Sequence, residues 1–142
     1  MDHVVYVDAK AKEMERLLDG SKTMIIRGAA GRKMPYGRVN EGDTLYLINN
    51  NGEGVAKARC HVTYVHNSKL MIKEESTVLV DDHQKELQLT KPQYKRWAGK
   101  RYLVLLRIAD VEPIEPFGID RSSYGNMDDW LPVEQIEKVK TT

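Results

Sequence analysis

The chain has 142 residues, 41% hydrophobic and 30% charged, which fits a single domain over residues 1–142 with one core and leaves too little for two. Its 22 basic and 21 acidic residues give a net charge of +1. That balance excludes a globally basic, tail-driven nucleic-acid binder, so any anion site must be a local patch. The single cysteine excludes an internal disulfide, and an early acid with only a short apolar run at the N-terminus predicts neither signal peptide nor membrane span, hence a cytoplasmic protein.

Residues 3–7 are β-branched and aromatic and predict a first strand, after which Asp8 stands where a helix N-cap belongs. A helix is expected over 9–19: Met14, Leu17 and Leu18 share a face, and Gly20 suits a left-handed C-terminal cap. Ser21 and Lys22 then fall at a helix-to-strand corner, and a second strand covers 23–27. A glycine-studded loop leads to the turn Asn40-Glu41-Gly42-Asp43. Residues 44–48 and 55–65 predict a hairpin whose return strand puts Ala56, Ala58, Cys60, Val62 and Tyr64 on a core face and Lys57, Arg59, His61 and Thr63 on a wet one.

Residues 70–73 and 77–80 suggest a further strand with an irregular middle. Thr90 and Pro92 open a short helix that runs through Tyr94 and Trp97 and stops at Gly99. The run 102–108 is apolar on both alternating faces, as in a strand covered on both sides. Proline, glycine, serine and aspartate then predict an irregular segment over 114–131, a small closing helix over 132–138, and a frayed end over 139–142. Many short strands without a strand-helix rhythm imply an α+β domain built around a compact, mostly antiparallel barrel.

The charge is unevenly placed. From Gly20 to Asn40 there are five basic residues, Lys22, Arg27, Arg32, Lys33 and Arg38, and no acid, interleaved with glycines that let backbone approach a ligand. Gly20, Lys22 and Arg27, in the order Gly-x-Lys-x-x-x-x-Arg after a short helix and before the Gly42-Asp43 turn, resemble the ASCH domain of the PUA-like superfamily. The resemblance covers residues 9–65, and strand 102–108 fits the last barrel strand.

The resemblance implies an α+β PUA-like pseudo-β-barrel with two or three short helices, and a cleft in which Lys22 and Arg27 face RNA or a modified nucleotide. Some members are amidohydrolases in which the motif lysine activates a threonine three residues on. Ile25 occupies that position here, so binding is expected before catalysis, and the alternative is an amidohydrolase or ribonuclease with Lys22 as base. The binding set is Gly20, Lys22, Arg27, Arg32, Lys33, Tyr36 and Arg38, with Tyr36 able to stack on a base.

Each of these residues also has a plainer reading: Lys22 as a solvated lysine at a helix end, Arg27 as an outward strand residue paired with an acid, and the loop residues as solvated surface. Lys91, Tyr94, Lys95, Arg96, Trp97, Lys100 and Arg101 form a second basic and aromatic group that could extend an RNA-binding surface, while the plainer reading has Tyr94 and Trp97 pin a helix to the core with the charges solvated. Asp128 and Asp129 could meet the basic loop across the cleft or cap a last helix, and Trp130 is read as a packing residue. His3, His61, His66 and His83 lack ligand spacing, so no metal and no cofactor is expected.

Overall fold

The computed structural model describes residues 1–125 and 128–141. Six strands, β1 (Asp2–Val7), β2 (Met24–Ala29), β3 (Thr44–Asn49), β4 (Val55–Asn67), β5 (Tyr102–Gly118) and β6 (Trp130–Glu134), form one curled sheet in the order β2-β5-β4-β3-β1-β6. β1 pairs with β3 in parallel, and the other neighbours pair antiparallel. Among the described residues there are four short helices, α1 (Glu13–Leu18), α2 (Lys73–Asp82), α3 (Gln84–Leu87) and α4 (Lys91–Trp97), and a 3-10 turn at Ile136–Lys138. No helix among the described residues is long and apolar enough to cross a membrane.

The two-faced character of β5 positions everything else. Val104 and Leu106 enter the core inside the curl with Val5, Leu47, Ala58 and Ile25, while Leu103 and Leu105 face the other way into a second core with Val80, Leu87 and Trp97 of the helices. β2 alternates in step, with Ile25 paired to Leu106 and Ile26 to Leu105. Met24 and Ile26 therefore meet the helices while Ile25 lies fully buried inside the curl. A third core, of Val4, Ile48, Leu131, Val133 and Ile136, covers the outer face of β1 and β6. The core face expected for β4 is present from Ala56 to Val62; a register shift between Val62 and Tyr64 then turns Tyr64 partly outward.

Several local expectations change. β5 runs on to Gly118, through Pro113 and Pro116, where the sequence suggests irregular chain from residue 114. β2 pairs only with the half from Tyr102 to Arg107, so beyond it β5 has β4 alone as neighbour, and an edge tolerates a proline's missing N–H. Residues 73–82 are helix α2 rather than a strand. Glu75 accepts the Ile72 N–H at 3.1 Å and closes the first turn, and this local cap outweighs the β-branched Thr77, Val78 and Val80.

The chain over 130–134 is strand β6, not the start of a helix, with Leu131 and Val133 on its buried face. Lys140 bridges to Ile119, and the Thr141 N–H donates to the Gly118 carbonyl at 2.8 Å, so the end expected to fray is tied to the sheet through Thr141. Helix α1 starts later than residue 9, because Asp8 and Glu13 hold a turn first: Asp8 accepts the Ala11 N–H at 3.1 Å and Glu13 accepts the Asp8 N–H at 2.9 Å.

Candidate functional site

β2 and β6 are the two edges of the curled sheet. Arg27, on β2, spans the gap between them. One terminal nitrogen donates to its neighbour Ile26 carbonyl at 2.8 Å and the other to the Tyr6 carbonyl on β1 at 2.6 Å. Its guanidinium lies 5.6 Å from the ring centre of Trp130 and 5.9 Å from that of Trp97, so aromatic faces take part of the charge. The residue is 6% exposed.

The third donor group of Arg27 is different. Among the described residues the buried Nε has no hydrogen-bond acceptor, although Asp129 Oδ2 stands 3.4 Å away. That carboxylate neutralises charge at ion-pair range without accepting a well-formed bond, since such bonds to a carboxylate run at about 2.7–2.9 Å. A buried donor in this state costs about 1–3 kcal/mol, which makes it a place where a ligand oxygen gains more than it would at the surface.

Arg27 opens onto a cleft of about 390 Å³. Its cations are Arg27, Lys33, Arg96 and Lys100, and its carboxylates are Asp128 and Asp129. The Arg96 guanidinium lies over Trp97, 4.3 Å from the ring centre, and reaches Asp129 at 3.9 Å; Lys33 reaches Asp128 at 3.9 Å. Gly28 forms part of the floor. A side chain there would meet Leu103 Cδ2 at 2.6 Å and the Tyr102 carbonyl at 3.0 Å, so only glycine lets β2 pass this close to β5. A second groove, of about 590 Å³, runs beside α2, but its floor holds Met71, Val78 and Leu79, and its one lysine, Lys69, is matched by Glu75 at 3.8 Å. Its chemistry does not suit an anion.

Lys22 does not reach the cleft. The Gly20 corner forms as its φ of +83° requires, and carries Lys22 inward to 2% exposure. There its ammonium donates to the Leu87 carbonyl and faces Glu13 Oε2 at 3.6 Å. Burial lowers the Lys22 pKa, Glu13 opposes that shift, and the nearby Arg27 charge reinforces it. The solvated lysine of the plainer reading is therefore replaced by an internal ion pair joining α1 to the end of α3.

The remaining residues of the expected set divide. Lys33 lines the cleft. Tyr36 does not offer a face for stacking: its hydroxyl donates to the Ser68 carbonyl, its ring stands edge-on to Tyr102 at 5.5 Å, and Arg32 covers both rings at 5.6 Å. Gly20 and Arg38 are exposed and do not line the cleft. Arg96, Trp97 and Lys100 complete the cleft from 60 or more residues away in sequence, and the one signal for them was the basic and aromatic composition of α4. Trp97 is pinned into the helix-side core as its spacing suggests, with Arg96 and Lys100 left at the surface above it.

Trp130 is held from behind. Its Nε1–H donates to His3 Nδ1 at 3.1 Å, which fixes the proton on the other ring nitrogen; that Nε2–H donates to Asp43 Oδ2 at 2.8 Å. Asp43 also accepts the Asn40 N–H at 2.9 Å, which explains the acid in the Gly42-Asp43 turn. His3 is wholly buried, and burial lowers its pKa below the ordinary 6.5 against the opposing pull of Asp43. The neutral ring belongs to the fold. Its contribution is complete above about pH 6.5 and is lost as pH falls below that value towards the lowered one, because the unfolded chain then binds the proton more readily. Urea midpoints are expected to drop between pH 7 and pH 5, and to drop less in His3→Gln; equal drops would contradict this role.

Cys60 is no nucleophile. It lies in the core, and burial pushes its thiol up to about 12.

The curled, mostly antiparallel sheet, with α1 packed inside the curl, α2 to α4 on its other face and a cationic cleft at its open edge, is a pseudo-barrel. The fold is that of ASCH domain structures. The ASCH protein of Zymomonas mobilis aligns with a TM-score of 0.66 at 16% identity, over 96% of this chain and 92% of that one. Two of its point mutants align with TM-scores of 0.69 at 14% identity, over 96% of this chain and 93% or 91% of theirs. Neither a family model nor a curated protein matches the sequence.

Proposed function

We propose that this chain is a PUA-like domain that binds RNA or a nucleotide through phosphate in the cleft between β2 and α4. The observation that carries the reading is Arg27: a buried guanidinium, 6% exposed, whose Nε–H has no acceptor among the described residues and whose cleft holds Lys33, Arg96 and Lys100 as well. Phosphate oxygens suit a planar arginine fork held in place by backbone, and lysines at the rim add charge without demanding geometry. The resemblance to PUA-like domains supports an RNA or nucleotide ligand.

The alternative of an amidohydrolase or ribonuclease using Lys22 as base finds no support in the same geometry. Ile25 faces the sealed interior of the curl, and the Lys22 ammonium is spent on Leu87 and Glu13. A general base must reach the proton it takes.

The reading is tested by titrating a fluorescent single-stranded RNA oligomer at two salt concentrations against wild type, Lys33→Ala and Lys100→Ala. Both positions are rim residues whose loss leaves the core intact. Each variant is expected to bind roughly three- to tenfold more weakly and to lower the slope of log affinity against log salt by about 0.7–1. Unchanged affinity and slope in both would remove phosphate from this cleft.

A further inference from the structure

We propose that Asp129, with Asp128 beside it, is a built-in counter-anion that holds the phosphate site in the free protein, and that a ligand enters by carboxylate-for-phosphate exchange. This rests on the cleft being the anion site argued above. It adds a named internal competitor and a ligand class, phosphate oxygens that carry enough charge to replace a carboxylate.

Three ion pairs place the two aspartates on the cleft's cations: Asp129 Oδ2 to Arg27 Nε at 3.4 Å and to Arg96 Nη2 at 3.9 Å, and Asp128 Oδ1 to Lys33 at 3.9 Å. Each distance is longer than a charged hydrogen bond, and among the described residues the Arg27 Nε–H has no acceptor. Asp129 therefore neutralises the cleft without filling it. Its side chain is 39% exposed, while its backbone is fixed, since the Tyr6 N–H donates to the Asp129 carbonyl at 2.9 Å. The carboxylate can rotate into solvent about its own side-chain bonds with no movement of β6.

A phosphate group brings more oxygens than the carboxylate it replaces. One can accept from Arg27 Nε at a proper distance while others meet the Arg96 fork and the Lys33 ammonium. A neutral ligand would leave Asp129 in place and gain none of these bonds, so the aspartates reject uncharged ligands and weaken every anion by the cost of their own displacement. Asp129 is a specificity-determining residue in this account.

The test compares wild type, Asp129→Asn, Asp128→Asn and Lys33→Ala, with a single-stranded RNA oligomer and with inorganic phosphate as separate probes. Asp129→Asn keeps the shape and removes the charge. It is expected to bind RNA roughly tenfold more tightly at low salt, with Asp128→Asn moving in the same direction by less, as expected when like charge is removed beside an anion site. Gain with both probes locates the exchange on a phosphate group of either source, and gain with RNA alone restricts it to the polynucleotide backbone; both results support the exchange. If Lys33→Ala weakens RNA binding while both asparagine variants leave it unchanged or weaker, the cleft stands and the exchange is overturned. If no variant alters RNA binding, the site itself fails and the exchange with it. Thermal midpoints within a few degrees of wild type confirm that the asparagine variants are folded; if one of the two fails this, the other carries the comparison.

Discussion

Lys22→Ala is expected to lower folding stability by about 3–5 kcal/mol, the cost of breaking a buried ion pair by removing one partner. Lys22 and Glu13 are 2% and 5% exposed, and they face each other at 3.6 Å. Without the ammonium, the buried Glu13 carboxylate loses its counter-charge and keeps the Asp8 N–H, at 2.9 Å, and the Leu87 carbonyl loses the lysine donor. The lysine stem also leaves a void between α1 and α3. Domains of this size are stable by about 5–15 kcal/mol, so the variant should survive only in a weakened state. Lys22→Met combined with Glu13→Gln removes both charges and restores the volume, and should recover more than half of the loss. A urea titration checks both. A cost under about 1 kcal/mol for Lys22→Ala would mean that the lysine is solvated after all.

Arg27→Ala is expected to cost about 2–4 kcal/mol of stability and to abolish measurable RNA binding. The stability loss follows from the Tyr6 and Ile26 carbonyls, which lose their donors in a site closed by Trp97 and Trp130. The binding loss follows from removing the buried cleft cation that the Tyr6 and Ile26 carbonyls hold in place. Arg27→Lys separates the two effects: it keeps the charge and one donor but not the fork, so stability should return in part while affinity stays more than about tenfold below wild type. Affinity equal to wild type in Arg27→Lys would reduce Arg27 to a point charge.

Much of this fold is legible in residues whose neighbours in sequence are also their neighbours in space. The Thr90 cap, Gly20 and the two apolar faces of residues 102–108 state α4, the corner and β5, because caps, left-handed φ values and alternation act over a few residues. What escaped depends on distant partners. Pro113 and Pro116 read as breakers until it is known that β2 stops short and leaves β5 with a free side there. The burial of Lys22 needs Glu13 and Leu87, and no local pattern brings those two together.

The site follows the same division. Arg27 was reachable from its spacing to Gly20 and Lys22, and Lys33 from the run of basic residues. Arg96 and Lys100 were visible as a possible extension of a binding surface but not as part of the Arg27 cleft, because their place is set by Trp97 docking α4 against β2 and β5. Tyr36 shows the reverse: an aromatic in a basic loop suggests stacking, yet Tyr102 and the Ser68 carbonyl take up its ring and hydroxyl. His3 has no ligand spacing to signal it, and the fold brings it between Asp43 and Trp130.

The central claim is that a phosphate oxygen takes the acceptor position at Arg27 Nε, and the ¹H–¹⁵N resonance of that group reads it directly. On titration with single-stranded RNA at low salt, the Arg27 Nε–H signal is expected to move downfield and to become protected from solvent exchange, with both changes reversed by added salt. An Arg27 Nε–H signal that stays in place while RNA demonstrably binds would put the ligand elsewhere on the protein and contradict the account.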